Sequence, residues 1–222
     1  MKRKRTIANF SIFDKIDSEE KAYWLGFIYA DGNIASLNYK KIRYNFELIL
    51  SSKDLEHLKK FNIFISSNKD IKIEKAGKLY QYERCRISFA NKHFWNVLNN
   101  YGCTPKKSLT LKFPNINIFE NKNLIRHFIR GYIDGDGCIS YCDKEHKHMT
   151  LRILGTKDFL NVLQEYLPLE KKNKLYKKSN IYDLSFQRSR GKYILDYVYK
   201  DATIFLDRKL ERYKEYCRLY QE

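Results

Sequence analysis

The sequence repeats itself once, and the second copy lies about 105 residues further along the chain. Both copies contain an apolar, glycine-bearing segment that ends in Asp-Gly, then a Lys-Asp pair, and later an apolar alternation. In chain order, the corresponding segments are 22–34 with 127–139, 50–55 with 154–159, and 86–89 with 183–186. Because the order is kept, we predict two copies of one folding unit, residues 1–114 and residues 115–222, with the boundary near Pro114.

Each copy also shows the same succession of helical and extended patterns. A helix opens the unit, and residues 44–50 and 149–153 then alternate between apolar and polar, which is typical of a half-buried strand. A second helix, a second hairpin and a closing helix follow, and the chain from Asp207 onward has a further helical pattern. Each unit is therefore predicted to be α+β, with helices covering the apolar face of its sheet.

The ends of the opening helices carry cap signals. Asp17 and Glu20 are spaced as a capping box for the start of the first helix. Gly32 and Gly137 follow the last helical residues, so we predict that they take the left-handed conformation common after helices.

The charge of the chain favours a polyanionic partner. Lys and Arg number 43 against 26 Asp and Glu, which gives a formal net charge of +17. Such a charge favours binding to nucleic acid or to an anionic membrane surface. No apolar run approaches the roughly 18–20 residues of a spanning helix, so no membrane partner is expected. The basic residues are interleaved with 18 Tyr and 14 Phe, a mixture that suits contact with phosphates, sugars and bases.

The five cysteines form no regular framework. Without a secretory signal they indicate reduced thiols and an intracellular protein, in the cytoplasm or nucleoid, or in an organelle matrix if the gene is organellar. One grouping has the residue types of a zinc site, namely Cys138, Cys142, His146 and His148. Its spacing matches no common zinc finger, so we do not expect zinc.

Small residues recur every four positions in both opening helices. They are Ala22, Gly26 and Ala30 in the first, and Gly131 and Gly135 in the second. Small residues at this spacing allow two helix backbones to approach closely, whereas glycine inside a helix costs about 1 kcal/mol relative to alanine. We therefore predict that the two helices pack on each other through Gly26, Ala30, Gly131 and Gly135. The alternative is that the glycines relieve crowding against a sheet.

Packing of these helices would bring Asp31 and Asp136 side by side at two helix C-termini. A carboxylate is unfavourable there because the helix dipole is negative at that end, and two carboxylates about 5 Å apart repel by roughly 3 kcal/mol. Divalent cations remove both penalties, and hard oxygen ligands suit Mg²⁺ or Mn²⁺. Metals so placed activate water for phosphodiester hydrolysis. The alternative is a pair of ordinary Asp-Gly turns.

Residues 24–32 and 129–137 resemble the nine-residue motif of the LAGLIDADG homing endonucleases. The resemblance extends from about residue 17 to 213, and two motifs in one chain are similar to the single-chain, pseudo-twofold members. It implies two αββαββα units whose antiparallel sheets form a DNA-binding saddle. The sixth motif position is Asp134 in one copy and Tyr29 in the other, and Tyr29 departs from the pattern.

The resemblance also assigns roles at the site. Asp31 and Asp136 would ligate metal, together with the preceding residues Ala30 and Gly135, and each would cut one strand. Lys107 and Lys209 occupy positions for stabilising charge or positioning water. Lys53 and Lys157 occupy a basic position, but Ser52 and Thr156 stand where relatives often have Gln.

Strand faces that do not carry core residues are expected to face DNA bases or phosphates. In the first unit these residues are Tyr80, Tyr82, Arg84 and Arg86; in the second they are Asp183, Ser185 and Gln187, with Arg188, Arg190, Lys177 and Lys178 expected at phosphates. The alternative for each is a solvated, edge-protecting charge.

We therefore expect a free-standing, monomeric, metal-dependent endonuclease of intron or mobile-gene type. Its substrate would be double-stranded DNA with a partly palindromic site near 20 base pairs, since each unit reads about one helical turn. Two alternatives remain: a maturase that binds intron RNA, and a catalytically silent DNA-binding regulator on the same fold.

Overall fold

The computed structural model describes residues 6–35, 44–77, 81–141 and 148–219. In the first half, helix, two strands, helix, two strands and helix follow one another. These elements are α1 (Glu19–Asp31), β1 (Gly32–Ile34), β2 (Asn45–Ser51), α2 (Leu55–Phe64), β3 (Lys72–Glu74), β4 (Arg84–Ala90) and α3 (Lys92–Asn100).

The second half repeats this order and then adds one helix. Its elements are α4 (Leu124–Asp136), β5 (Gly137–Tyr141), β6 (Met149–Gly155), α5 (Lys157–Leu163), β7 (Tyr176–Lys178), β8 (Ile181–Gln187), α6 (Arg188–Tyr199) and α7 (Asp207–Leu219). The predicted α+β class with two αββαββα units is thus confirmed, while the boundary near Pro114 stays a prediction. None of the helices in the described part of the chain has the length and apolar character needed to cross a bilayer.

The strands form two antiparallel sheets with the same strand order. Within the described residues each sheet has four strands, ordered β1-β2-β4-β3 in the first and β5-β6-β8-β7 in the second. Leu48 pairs with Ile87 in one sheet, and Ile153 pairs with Leu184 in the other. All four side chains are buried, so the same register places the core on the same face of each sheet.

The opposite face of each sheet is open. Along β2 and β4 buried residues alternate with half-exposed ones, and β6 shows a similar alternation in its second half. Helices cover the buried faces, as expected when only one face of an antiparallel sheet is apolar. Two open sheets flanking a central pair of helices fit the predicted saddle.

Helices α1 and α4 lie against each other at the centre of the molecule. A Cβ atom added at Gly26 would lie 1.9 Å from the carbonyl oxygen of Phe128, and one added at Gly131 would lie 1.9 Å from the carbonyl oxygen of Tyr23. These two contacts are reciprocal, because Gly26 corresponds to Gly131 and Tyr23 to Phe128 in the repeat. The glycines thus face the partner helix backbone rather than a sheet.

Both cap predictions are wrong in detail. Ser18, not Asp17, is the N-cap of α1, and its hydroxyl accepts from the Lys21 amide at 3.4 Å, while Asp17 pairs with the Lys21 ammonium. Gly32 and Gly137 have φ of −71° and −77°, so neither is left-handed. A strand follows each helix directly, which requires extended backbone at that residue.

The close contact at Gly26 predicts an effect opposite to helix propensity. Gly26→Ala should lower the free energy of unfolding by roughly 1–3 kcal/mol because the added methyl meets backbone, although alanine favours the helix by about 1 kcal/mol. Urea unfolding monitored by circular dichroism measures this change. Gly77→Ala is the matched control, since a Cβ at Gly77 meets nothing within 4 Å; equal effects of the two substitutions would contradict the packing.

Candidate active site

The two motif aspartates lie together at the ends of α1 and α4. A Cβ atom added at Gly135 would lie 2.3 Å from the Ala30 Cβ and 3.1 Å from Asp31 Oδ2. The Asp31 carboxylate therefore lies against the residue that precedes Asp136. The close helix contact thus places both acids in one region, as the repeat predicted.

Both carboxyl groups are destabilised in their charged form. Burial raises the pKa of Asp31 to about 6, and repulsion by Asp136 adds to the shift, while Lys209 and Lys107 oppose it. The Asp136 side chain reaches solvent, but crowding by protein atoms also raises its pKa, against the effect of Lys107 and Lys209. Positive charge added beside the two carboxylates, such as a divalent cation, would therefore be stabilised.

Two lysines donate hydrogen bonds to backbone carbonyl groups at the C-terminal ends of α1 and α4. Lys107 Nζ donates to the carbonyl oxygens of Ala30 at 3.1 Å and Gly32 at 2.6 Å. Lys209 Nζ donates to the carbonyl oxygens of Ile133 at 2.7 Å, Gly135 at 3.2 Å and Gly137 at 2.6 Å. Burial lowers the pKa of Lys209 to about 8. Cations at helix C-termini offset the negative end of the dipole, which favours the placement of acids there.

The donor set at the site fits a hard divalent cation. It consists of two carboxylates and the carbonyl oxygens of Ala30 and Gly135, each of which keeps a second lone pair beside its lysine contact. Among the described residues, no three His, Cys, Asp or Glu side chains are grouped as metal ligands. Asp31 and Asp136 would thus hold Mg²⁺ or Mn²⁺ with water or phosphate oxygens completing the shell.

A cavity of about 190 Å³ opens beside Asp136. Its lining includes Lys107, Ser108, Tyr132, Gly155 and Thr156. The Thr156 hydroxyl is not free in this arrangement, since it donates to the carbonyl oxygen of Leu111. Thr156 is therefore a structural contact, whereas Lys157 and its counterpart Lys53 are exposed.

Asp134, the sixth residue of the second motif, has a role that the sequence reasoning missed. It is fully buried and accepts from the Tyr23 hydroxyl at 2.8 Å, the Tyr199 hydroxyl at 2.5 Å and the Leu206 amide at 2.7 Å. Its counterpart Tyr29 instead donates to the carbonyl oxygen of Tyr101. Asp134 thus anchors the segment that leads into Lys209, which no local sequence signal reveals.

Arg130 also binds the segment that precedes Lys209. Its fully buried guanidinium contacts Glu19 at 2.6 Å and donates to the carbonyl oxygens of Val198 and Ile204, each at 3.0 Å. Glu19 also accepts from the amide of Thr203 at 2.8 Å. The connection between α6 and α7 is consequently held by both motif helices.

The start of α7 also reaches into the first unit. Arg208 donates to both oxygens of Asp54, at 2.7 and 3.0 Å, and Asp54 is buried. Asp207 accepts from the Lys60 ammonium at 2.7 Å. Three consecutive charged residues therefore have three different partners, and Lys209 is directed at the α4 terminus.

The residues predicted to contact DNA lie mainly on the open sheet faces. Arg84 and Arg86 are half-buried there, and Ser185 lies on the corresponding strand of the second sheet. Exposed positions are occupied by Tyr82, Gln187, Arg188 and Arg190, and Lys177 and Lys178 are exposed on β7. Tyr80 lies outside the described residues, as do Cys142 and His146 of the alternative zinc grouping.

Three charged residues of these faces were not assigned from sequence. Glu47, Glu74 and Arg152 form ion pairs with Arg86, Arg84 and Asp183, respectively. The alternation that identified the core of β2 and β6 also places Glu47 and Arg152 on the open faces, so the signal for these two residues was present.

The three donors at Asp134 predict a large cost for removing its charge. Asp134→Asn would leave at least one buried donor without an acceptor and should lower the free energy of unfolding by about 1–3 kcal/mol. Chemical denaturation measures the change, with Asp70→Asn in an exposed loop as control. Equal stability of the two variants would show that the buried contacts do not hold Asp134.

Comparison with known proteins supports the fold. No protein-family model matches the sequence, and no curated protein does. Among solved structures, the meganuclease I-SmaMI bound to an uncleavable DNA matches with a TM-score of 0.60 at 13% identity, covering 91% of this chain and 90% of that chain. The LAGLIDADG homing endonuclease I-LtrWI bound to target DNA matches with a TM-score of 0.59 at 14% identity (95% and 90%). The LAGLIDADG meganuclease I-AabMI bound to uncleaved DNA matches with a TM-score of 0.57 at 15% identity (89% and 88%). The chain therefore has the fold of the LAGLIDADG homing endonucleases, in the form that carries both motif helices on one polypeptide.

Proposed function

We propose that this protein is a site-specific endonuclease that cuts both strands of double-stranded DNA with the help of divalent metal. The observation that carries the proposal is the placement of Asp31 and Asp136 at the ends of two helices in backbone contact. Both carboxyl groups have a raised pKa, so the site favours added positive charge. The structures that share the fold are described as meganucleases or homing endonucleases bound to DNA.

In the proposed reaction the two aspartates bind metal, and the two lysines hold the helix ends and supply positive charge. Asp31 and Asp136 would hold Mg²⁺ or Mn²⁺, which supplies activation of water and stabilisation of the charge on the leaving oxygen. Lys107 and Lys209 keep the helix ends in place and add positive charge near the scissile phosphates. Because both acids come from one polypeptide, the protein would act as a monomer.

The open sheets and the basic surface would bind the duplex. Arg188, Arg190, Lys53 and Lys157 are exposed and would neutralise phosphates, which makes affinity fall steeply as salt rises. The residues on the open faces of β4 and β8 would contact bases in the major groove, where all four base pairs are distinguishable.

Replacing either aspartate should separate binding from cleavage. Asp31→Asn and Asp136→Asn should each reduce double-strand cleavage at least about 100-fold, because a lost metal ligand removes several kcal/mol of charge stabilisation. DNA affinity should be kept, since each substitution removes a negative charge. The assay follows linearisation of a supercoiled plasmid that carries the joined DNA flanks of the gene, with Mg²⁺ or with EDTA.

Asp158→Asn, at an exposed position in α5, is the control and should cut normally. Normal linearisation by either motif variant would refute the metal assignment. Tight binding without Mg²⁺-dependent cutting by the unmodified protein would favour the silent regulator, and preferential binding of intron RNA would favour the maturase.

A further inference from the structure

The strand registers identify equivalent positions on the two open sheet faces. Arg86 lies opposite Ile49 on β2, and Asp183 lies opposite Leu154 on β6. Two residues earlier on those partner strands, Glu47 and Arg152 lie opposite Ser88 and Ser185. Since the registers match, Arg86 is equivalent to Asp183, and Glu47 is equivalent to Arg152.

The registers of the edge strands β3 and β7 add one further pair of equivalent residues. Lys72 of β3 lies opposite Arg86, and Tyr176 of β7 lies opposite Asp183. Two positions further along each edge strand are Glu74 and Lys178. We call Glu47, Arg86 and Glu74 the first triad, and Arg152, Asp183 and Lys178 the second triad.

The two triads have the same layout and inverted charge. In the first triad Arg86 contacts Glu47 at 2.8 Å and Glu74 at 3.5 Å, and Glu74 also pairs with Arg84 at 2.6 Å. In the second triad Asp183 contacts Arg152 and, at 3.1 Å, Lys178. A cation between two acids in one unit thus corresponds to an acid between two cations in the other.

Residues of both triads line grooves on the open sheet faces. Glu47 and Arg86 line a groove of about 640 Å³ on the first sheet, and all three residues of the second triad line a groove of about 440 Å³ on the second. Each central side chain also keeps one polar atom that has no hydrogen-bond partner among the described residues, Arg86 Nε and Asp183 Oδ1. Both atoms are buried, and Asp183 is itself a buried residue with Arg152 and Lys178 bound to it, so a base reaches its carboxylate only where these two cations turn away from it.

Charge sign decides which base such a side chain prefers in the major groove. Arginine donates to O6 and N7 of guanine, whereas aspartate accepts from N4 of cytosine. In a palindromic target, equivalent positions of the two half-sites carry the same base, and equivalent protein residues would read them alike. Opposite charges at equivalent protein positions therefore predict different bases at the equivalent positions of the two half-sites.

We infer that the two triads determine specificity at equivalent base pairs of the two half-sites, with Arg86 selecting guanine where Asp183 selects cytosine. The inference rests on the proposed function, since it assigns the bases read by the same DNA-binding faces. It makes the target non-palindromic at this position, with the base pair reversed between the half-sites.

The test determines the preferred DNA of the full-length protein and of a charge-reversed variant. Each protein is mixed, without divalent metal, with duplex DNA that carries a randomised segment of about 24 base pairs, and bound DNA is sequenced. The variant combines Glu47→Arg, Arg86→Asp and Glu74→Lys, which gives the first triad the charges of the second. Its consensus should change from guanine to cytosine at one position of one half-site, so that the half-sites match there.

Affinity on defined DNA provides the second measurement. The charge-reversed variant should bind the parent consensus about tenfold more weakly, which is the scale of one bidentate base contact, and should recover on DNA with that one base pair reversed. Arg86→Gln is a milder variant for the case in which the triple substitution does not fold, and it should change guanine to adenine at the same position.

The matched control reverses the exposed pair Glu56 and Lys59 on α2, which are 2.7 Å apart, and should leave the consensus unchanged. An unchanged consensus in Arg86→Gln and in the folded triad variant would overturn the inference, as would equal weakening on every DNA. If the unmodified protein enriches no sequence, the proposed function itself is wrong, which is a different result from a consensus that the triads do not alter.

Discussion

Direct contact between the backbones of two helices is the constraint on which the rest of this structure depends. Gly26 and Gly131 each occupy a place where any side chain would overlap a carbonyl group of the other helix. This proximity brings two carboxylates together at helix ends that already carry negative dipole charge. Lys107 and Lys209 then donate to the terminal carbonyls of the two helices. The close packing of the two helices therefore also determines the electrostatics of the candidate site.

The symmetry of the molecule is strict in its backbone and relaxed in its side chains. Sheet order and register are the same in both units, and in each a lysine donates to the carbonyl oxygens of the seventh and ninth motif residues. The sixth motif position, by contrast, is a buried acid in one unit and a tyrosine bound to a carbonyl group in the other. Each side chain thus contacts a distant segment, the one that precedes Lys209 for Asp134 and the one that precedes Lys107 for Tyr29.

Features encoded by periodicity were predictable from the sequence, and features that depend on distant partners were not. The repeat and the apolar alternation predicted two α+β units, their element order and the meeting of Asp31 with Asp136. The N-cap of α1 was misassigned because neighbouring Asp17 and Ser18 are both good acceptors. The buried role of Asp134 depends on Tyr199 and Leu206, which lie more than 60 residues away, so no local pattern could show it.

The attachment of α7 to the first unit has a consequence for synthesis of the chain. Asp54 is buried next to Arg208, and an isolated buried carboxylate is strongly unfavourable. While the ribosome is still making the second unit, Asp54 lacks this guanidinium and α1 lacks the α4 helix on which it packs. The amino-terminal half is therefore expected to mature late, when the carboxy-terminal helix has emerged, even though it is translated first.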